Sequence, residues 1–328
     1  MSEVLHRHRL EGLEPDNLLA FLALLGLLRS LETARPAWRP RAAWDLDRGP
    51  LQPILLLAEP HAQRDITEAA VEGAGRLAEL YDFSAEKSDD PAQKDLNYTD
   101  ACARGLLSEA AAEENRERAD LWAALMCDAA AREGRIEATP LCLLFGQGHQ
   151  HFLERLATVP RTEAPPPRGR GSNRVSLTAS ETIEEALFVP WLRQDPTPGF
   201  RWDPEEDVRY ALRAGDPSAE KSTTQHGANR LAALGLPILT AAPVQRGNRV
   251  RLQVLGGSVA RDFTFAWPIW REPASLAAIR AMLSHPDLTG DPATAQTKLA
   301  HLGVEQVRRA RRIGVGRFMN FTRAEVIG

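Results

Sequence analysis

The chain has 328 residues, 43% of them hydrophobic and 26% charged, an ordinary balance for a globular protein with a sizeable core. Its net charge of −4 gives no bulk attraction to nucleic acid or a membrane surface. Three cysteines, Cys102, Cys127 and Cys142, cannot all pair and form no C-x-x-C motif, so a disulfide framework is excluded and reduced thiols in a cytoplasmic protein are expected.

Val4, His6, His8 and Leu10 alternate with Leu5, Arg7 and Arg9, a pattern compatible with a short first strand. The start MSEVLHRHRLEGLEPDN is charged and polar, unlike a secretory leader. A turn at Glu14-Pro15 follows, and Asp16 is placed to cap the next helix. That helix is apolar almost all round from Leu18 to Leu28. The run is short of the ~20 residues of a membrane span, so it reads as a central buried helix. Ile54–Ala58 reads as a buried strand and Asp65–Leu80 as a helix. Phe83–Thr99 is polar and breaker-rich, an exposed loop. An Ala/Glu-rich stretch from Gly105 to Arg132 reads as a long helix with a break. Leu141–Leu156 (LCLLFGQGHQHFLERL) reads as a strand, a glycine turn and a helix.

Pro160–Arg174 (PRTEAPPPRGRGSNR) disfavours helix and sheet alike. It suggests an acidic α+β domain over 1–160, a Pro/Gly/Arg linker over 161–174 and a basic α+β domain over 175–328. Residues 1–160 carry a net charge of −10 and residues 161–328 one of +6, an asymmetry that predicts different partners for each half. Beyond the linker, Glu181–Ala186 reads as a short helix, followed by a loop-rich segment with aromatic anchors Trp191, Phe200, Trp202 and Tyr210. The acidic run from Asp203 to Asp207 suits a solvated helix N-terminus. Asn248–Trp267 alternates as a β-hairpin turning at Gly256-Gly257-Ser258. Helices are expected over Ser275–Leu283 and Pro292–His301, then a basic helix within VEQVRRARRIGVGRFMNFTR. The predicted class is α+β and helix-dominated, with a short N-terminal β-α-β unit and a C-terminal β-hairpin plus helices.

Two kinds of residue are candidates for function. Gly146, Gln147 and Gly148 could turn tightly and expose N–H groups to a phosphate at a helix start, or form a purely structural turn. His149 and His151, at i and i+2, are poorly placed to share a metal; with no H-E-x-x-H motif, neither metal nor cofactor is predicted. Arginines are the stronger signal, because their planar forks suit phosphate. Arg308, Arg311 and Arg312 would share a face of the expected helix, with Arg309 beside them, and Arg317 and Arg323 would extend the patch with Phe318 and Phe321 interleaved. Arg168, Arg170 and Arg174 in the linker and Arg249 and Arg251 on the hairpin could join them. The alternatives are a solvated face or an acidic protein partner.

Several segments resemble a known family. Leu10–Leu31 (LEGLEPDNLLAFLALLGLLRSL) resembles the N-terminal strand-and-helix signature of subunits of type I CRISPR systems. Pro140–Leu156 is similar to a strand, glycine turn and F-x-x-x-L helix of large-subunit relatives in the type I-G branch. FRWDPEEDVRYALRAGDPS from Phe200, GANRLAALGLP from Gly227 and FAWPIW from Phe265 resemble type I-G accessory proteins, including an extension family linked to the CRISPR helicase-nuclease. The resemblance implies a non-enzymatic subunit or adaptor of an RNA-guided DNA surveillance complex, with effector subunits, the helicase-nuclease, guide RNA or target DNA as partners. A pure protein adaptor anchored by Trp191, Trp202 and Trp267, or an enzyme using the Gln147–His151 turn, are the competing readings.

Overall fold

A helix apolar on every side is buried only when other elements enclose it, and the apolar helix of the N-terminal unit shares one core with the strands around it. The computed structural model describes residues 5–83, 94–147, 150–169, 171–206, 223–259, 262–315 and 318–327. It begins with β1 (His6–Arg9), α1 (Leu18–Ala34), β2 (Arg41–Trp44) and β3 (Pro53–Leu57). The strand order is β1-β3-β2, and β3 is antiparallel to both neighbours, with Leu55 opposite His8 on one side and Ala42 on the other. β1 and β2 therefore run parallel, and α1 is the crossover of a split β-α-β unit. β3 is buried along its length. Leu55 and Leu57 enter the main core, while Ile54 and Leu56 form a smaller cluster with Ala43. The helix cap is Asn17 and not Asp16: Asn17 Oδ1 accepts the Leu19 N–H at 2.9 Å.

α1 is buried without interruption from Leu18 to Leu31, as a helix apolar on all sides must be. α2 (Gln63–Ala78) packs on it through Ile66, Ala70, Gly73 and Leu77. The expected long Ala/Glu-rich helix is two helices, α3 (Asp100–Ala112), capped by Thr99, and α4 (Glu117–Leu125). Its end becomes a tight hairpin of β4 (Ala131–Arg132) and β5 (Arg135–Ile136). Glu133 and Gly134 turn it with φ of 53° and 76°, the left-handed pair that such two-residue turns require. Leu141–Leu144, expected as a strand, is buried coil, and Leu141 O accepts the Trp202 Nε1–H at 2.9 Å. β6 (Phe145–Gln147), β7 (Gln150–His151) and α5 (Phe152–Thr158) follow.

α6 (Ala179–Phe188) carries a capping box, Thr178 with Glu181. α7 (His226–Gly235) is buried at all ten positions and lies against α1. One hydrophobic cluster runs from Leu10 to Ala324 and draws on both halves of the sequence. The segment 161–174 is therefore a connection on a shared core, and it does not divide two cores.

The remaining elements are β8 (Ala241–Arg246), β9 (Arg249–Val254), β10 (Gly257–Val259), β11 (Phe263–Trp270), α8 (Leu276–Ser284), α9 (Ala295–Leu299), β12 (Val304–Val315), β13 (Phe318–Phe321) and β14 (Glu325–Ile327). The pairing corrects the expected hairpin. β9 folds back on β8 across Gly247-Asn248, whereas β10 pairs with β11. Pro243 within β8 hides that strand from a sequence reading, and β8 lies in a two-stranded ribbon where proline is tolerated. The expected basic helix is also corrected: it is β12, twelve residues long, paired with β11 on one side and with β13 and β14 on the other. Val304, Val307, Ile313 and Val315 favour a strand, and the ladder with β11 outweighs the helix propensity of arginine.

This sheet packs on the helices through aromatic residues. Phe21 of α1 stacks on Trp267 at 5.4 Å, and Trp270 Nε1 donates to Ala42 O at 2.8 Å, tying the C-terminal sheet to β2. Trp191, Trp202 and Trp267 are all buried, so they are core residues and not exposed interface anchors. The class is α+β.

The loop between α6 and α7 overturns the reading of the acidic run as a solvated helix start. Asp203 is fully buried; it accepts from Asn17 Nδ2 at 3.0 Å and from Arg193 Nε at 2.6 Å. Glu206 accepts from Arg201 N at 3.1 Å and from Asn229 Nδ2 at 3.4 Å. Burial, reinforced by the Asp203 charge, pushes the Glu206 carboxyl up to about 7 from 4.5. The folded protein thus holds this proton to higher pH than the unfolded chain does. Its contribution to stability is complete below about pH 4.5, falls as pH rises towards 7 and is flat above that. Glu206→Gln is expected to remove the decline and to be more stable than wild type at pH 8 by roughly 2–3 kcal/mol. Urea titrations of both proteins between pH 5 and pH 8 measure this; parallel curves would exclude a retained proton.

Candidate nucleic-acid interface

The arginines of the tail do not form one surface. On a strand, neighbours point to opposite sides, so Arg308 and Arg312 lie on the face of Trp267 and Phe265, and Arg309 and Arg311 on the other. Most are engaged within the protein. Arg308 Nη2 donates to Gln306 Oε1 at 3.2 Å and Arg309 Nη2 to Gly290 O at 3.3 Å. Burial lowers the pKa of both, offset by the nearby charges of Asp16 and Asp291 respectively. Arg311 pairs with Glu325 at 3.3 Å. Arg312 donates to Pro140 O at 3.1 Å and stands 5.5 Å from the centre of the Phe263 ring. Arg323 meets Glu14, Asp16 and Glu205 at 2.8–3.0 Å. Phe321 is buried and offers no stacking platform. Arg168 is held inside by Asp195 and Glu185, each at 2.7 Å. Arg174 is exposed. Arg170, Arg317 and Gly148 lie outside the described residues.

Some of the opposite charges of the two halves are matched to one another. Arg193, Arg251, Arg271, Arg280 and Arg323 from the basic half pair with Glu14, Glu137, Asp47, Asp120 and Asp16 of the acidic half. The asymmetry in sequence is thus in part an internal complementarity.

Arg249 and Arg251 have a different setting. They line a groove of about 630 Å3 between the β4–β5 hairpin and the β8–β9 ribbon, together with Arg132 and Arg135. Glu137 clips the two hairpins together: its carboxylate accepts from Arg251 Nε at 2.7 Å and from Leu252 N at 3.1 Å. Each hairpin is closed by two arginines directly opposite one another, Arg132 with Arg135 and Arg246 with Arg249. Like charges in such cross-strand pairs repel. Among the described residues the Arg132 side chain reaches only its exposed neighbour Glu133, at 3.3 Å, and Arg135 Nη1 donates to Asn97 O at 2.7 Å. The side chains of Arg246 and Arg249 are exposed and make no hydrogen bond or ion pair with another described residue. The groove therefore presents an excess of positive charge that an anion would relieve. Its lining holds no aromatic side chain, so it suits phosphates better than stacked bases.

Sequence reasoning found Arg249 and Arg251 but missed Arg132, Arg135 and Arg246. A signal was present: Arg132-Glu-Gly-Arg135 and Arg246-Gly-Asn-Arg249 are both two-residue hairpin turns flanked by arginine. What no sequence rule supplies is that the two turns stand beside one groove.

The turn after Gly146 and Gln147, at Gly148 and His149, lies outside the described residues. Gly146 and Gln147 lie in β6, and the N–H groups at the start of α5, those of Leu153 and Glu154, both donate to Lys94 O, at 3.1 and 3.2 Å. His151 Nδ1 is 3.0 Å from Asp95 Oδ1. Among the described residues no three His, Cys, Asp or Glu side chains converge as a metal site would need, and no helix is long and apolar enough to cross a membrane.

Compared with protein-family models, curated proteins and solved structures, the chain finds no match in any of the three.

Proposed function

We propose that this protein is a non-catalytic subunit or adaptor of a type I CRISPR RNA-guided DNA surveillance complex, and that it holds nucleic acid by its phosphate backbone in the groove between the two hairpins. The observation that carries the nucleic-acid reading is the arginine-lined groove, with both hairpins closed by repelling Arg–Arg pairs. A two-stranded ribbon such as β8–β9 also has the dimensions to enter a DNA major groove. The assignment to this system, and to effector subunits or the helicase-nuclease as partners, rests on the resemblance of Leu10–Leu31 and the later segments. A non-catalytic role is supported by the buried carboxylates Asp195 and Asp203, both tied up in arginine pairs, and by the Cys142 thiol, which burial pushes up to about 12.

The test is charge reversal in the groove. The double variant Arg132→Glu, Arg249→Glu is expected to lose at least about tenfold in affinity for a short DNA duplex or a guide-bound effector complex, and to lower the slope of log K against log salt by about 2. Both residues are exposed, so the fold should survive; fluorescence anisotropy and circular dichroism report the two properties separately. Wild-type affinity in the double variant would remove the groove from the interface. Binding of effector subunits by the full chain with no affinity for DNA or RNA would favour a pure protein adaptor.

A further inference from the structure

Among the described residues, one acidic side chain lines the groove between the two hairpins, and it is bonded as a phosphate would be. Glu137 stands there with four arginines, Arg132, Arg135, Arg249 and Arg251. Its Oε1 accepts from Arg251 Nε at 2.7 Å and its Oε2 from Leu252 N at 3.1 Å. A guanidinium beside a backbone N–H is a donor set that phosphate oxygens commonly take. Among the described residues, Arg251 Nη1 and Nη2 make no hydrogen bond, so the guanidinium has donors to spare.

The pair is both reachable and weak. Side-chain exposure is 39% for Arg251 and 31% for Glu137, and ion pairs this open to water contribute little. A phosphate group brings more acceptor oxygens to the same donors than one carboxylate does. Losing the carboxylate with no anion in its place is the unfavourable case, because Arg251 and half-buried Arg312 repel one another. Burial lowers the pKa of Arg312, the Arg251 charge lowers it further, and Glu137 draws it back. We infer that Arg251 and the Leu252 N–H form a phosphate subsite of the groove, which the Glu137 carboxylate occupies in the free protein and from which an incoming phosphate displaces it. The inference rests on the nucleic-acid reading of the groove and adds to it a built-in competitor.

On the full chain, affinity for a short DNA duplex is measured by fluorescence anisotropy and affinity for inorganic tripolyphosphate by calorimetry, in wild type, Glu137→Gln, Arg251→Gln and the double variant. Glu137→Gln keeps an oxygen for the Leu252 N–H and loses the charge on Arg251. It is expected to bind both ligands roughly three- to fivefold more tightly than wild type, the range for release of a weak ion pair. The double variant should be no tighter than Arg251→Gln alone, since nothing is left to compete for. An equal gain in both backgrounds would reduce Glu137 to general charge repulsion, and unchanged or weaker duplex binding in Glu137→Gln would leave it a clip alone. Either result overturns the subsite, while duplex binding by wild type would still support the groove. Tripolyphosphate binding with the Arg251-dependent gain, but no duplex binding by any of the four proteins, would uphold the subsite and overturn the nucleic-acid reading; no binding of either ligand overturns both. Should Glu137→Gln fail to fold, wild type carries the test by nuclear magnetic resonance. The Arg251 Nε–H signal, identified by its loss in Arg251→Gln, is expected to shift on saturation with duplex, and an unmoved signal rejects displacement.

Discussion

Gly26→Ala is expected to destabilise the protein by roughly 4 kcal/mol or more, or to prevent folding. Gly26 sits where α1 crosses α7, and a Cβ built there falls 1.8 Å from the backbone oxygen of Leu231. The obstacle is main chain, so no rotamer change makes room. The helices would have to part by more than an ångström, opening an extensive contact of two fully buried helices, and tightly packed interiors resist such strain. Gly235 makes the reciprocal approach, with its Cβ position 2.6 Å from Leu22 O, and a Cβ built at Gly73 of α2 would fall 1.9 Å from Ser30 O. α1 is thus in backbone contact with two helices through glycine. Gly105→Ala is the control: it lies in α3 with open space around its Cβ position, and should gain roughly 0.5–1 kcal/mol. Urea unfolding followed by far-ultraviolet circular dichroism distinguishes them. A Gly26→Ala protein as stable as wild type would show that α1 and α7 do not meet in this way.

Asp195→Ala should cost about 3–5 kcal/mol, the range for breaking a buried ion pair from one side. Asp195 is fully buried and joins three separate segments. Its Oδ1 accepts from Arg168 Nε at 2.7 Å, and its Oδ2 accepts the His226 N–H at 2.8 Å. Its backbone exchanges hydrogen bonds with Thr224. Because Gln225 supplies no side-chain cap to α7, Asp195 caps that helix from across the fold. Asp195→Asn keeps an oxygen for the helix and loses the charge opposite Arg168, so its cost should be smaller. Arg168→Ala completes the comparison, since it leaves Asp195 buried beside an empty space. It should lower the urea midpoint and leave DNA affinity of the folded protein unchanged, because its guanidinium faces Asp195 and Glu185 and not solvent. A loss of affinity in folded Arg168→Ala would return the linker to the interface; an Asp195→Ala variant within about 1 kcal/mol of wild type would deny the residue its joining role.

Some of this protein could be read before any coordinates. The apolar run from Leu18 to Leu28 specified a helix buried on every side, because a sequence with no polar face can satisfy water nowhere. The β-branched and leucine run at Ile54–Leu57 specified a strand covered on both faces, and Glu181–Ala186 was legible as a helix, although its start at Ala179, set by the Thr178–Glu181 capping box, was not read. The α+β class followed from those local signals. The tertiary structure decided the rest. Whether VRRARR became helix or strand depended on a ladder with β11, whose residues lie far away in the chain and whose hydrogen bonds no local propensity encodes. That outcome split Arg308 and Arg309 onto opposite faces and set Arg311 beside Glu325, so arginines clustered in sequence were scattered in space. Arg132 and Arg249, remote in sequence, came to border one groove because Glu137 clips their hairpins together. Burial of Asp203 and Glu206 was equally invisible, because a run of acidic residues looks solvated until Asn17, Arg193 and Asn229 arrive from other elements to receive it. Charge is counted along the chain, but its partner is chosen by the fold, since ion pairing depends on distance and dielectric and not on sequence separation.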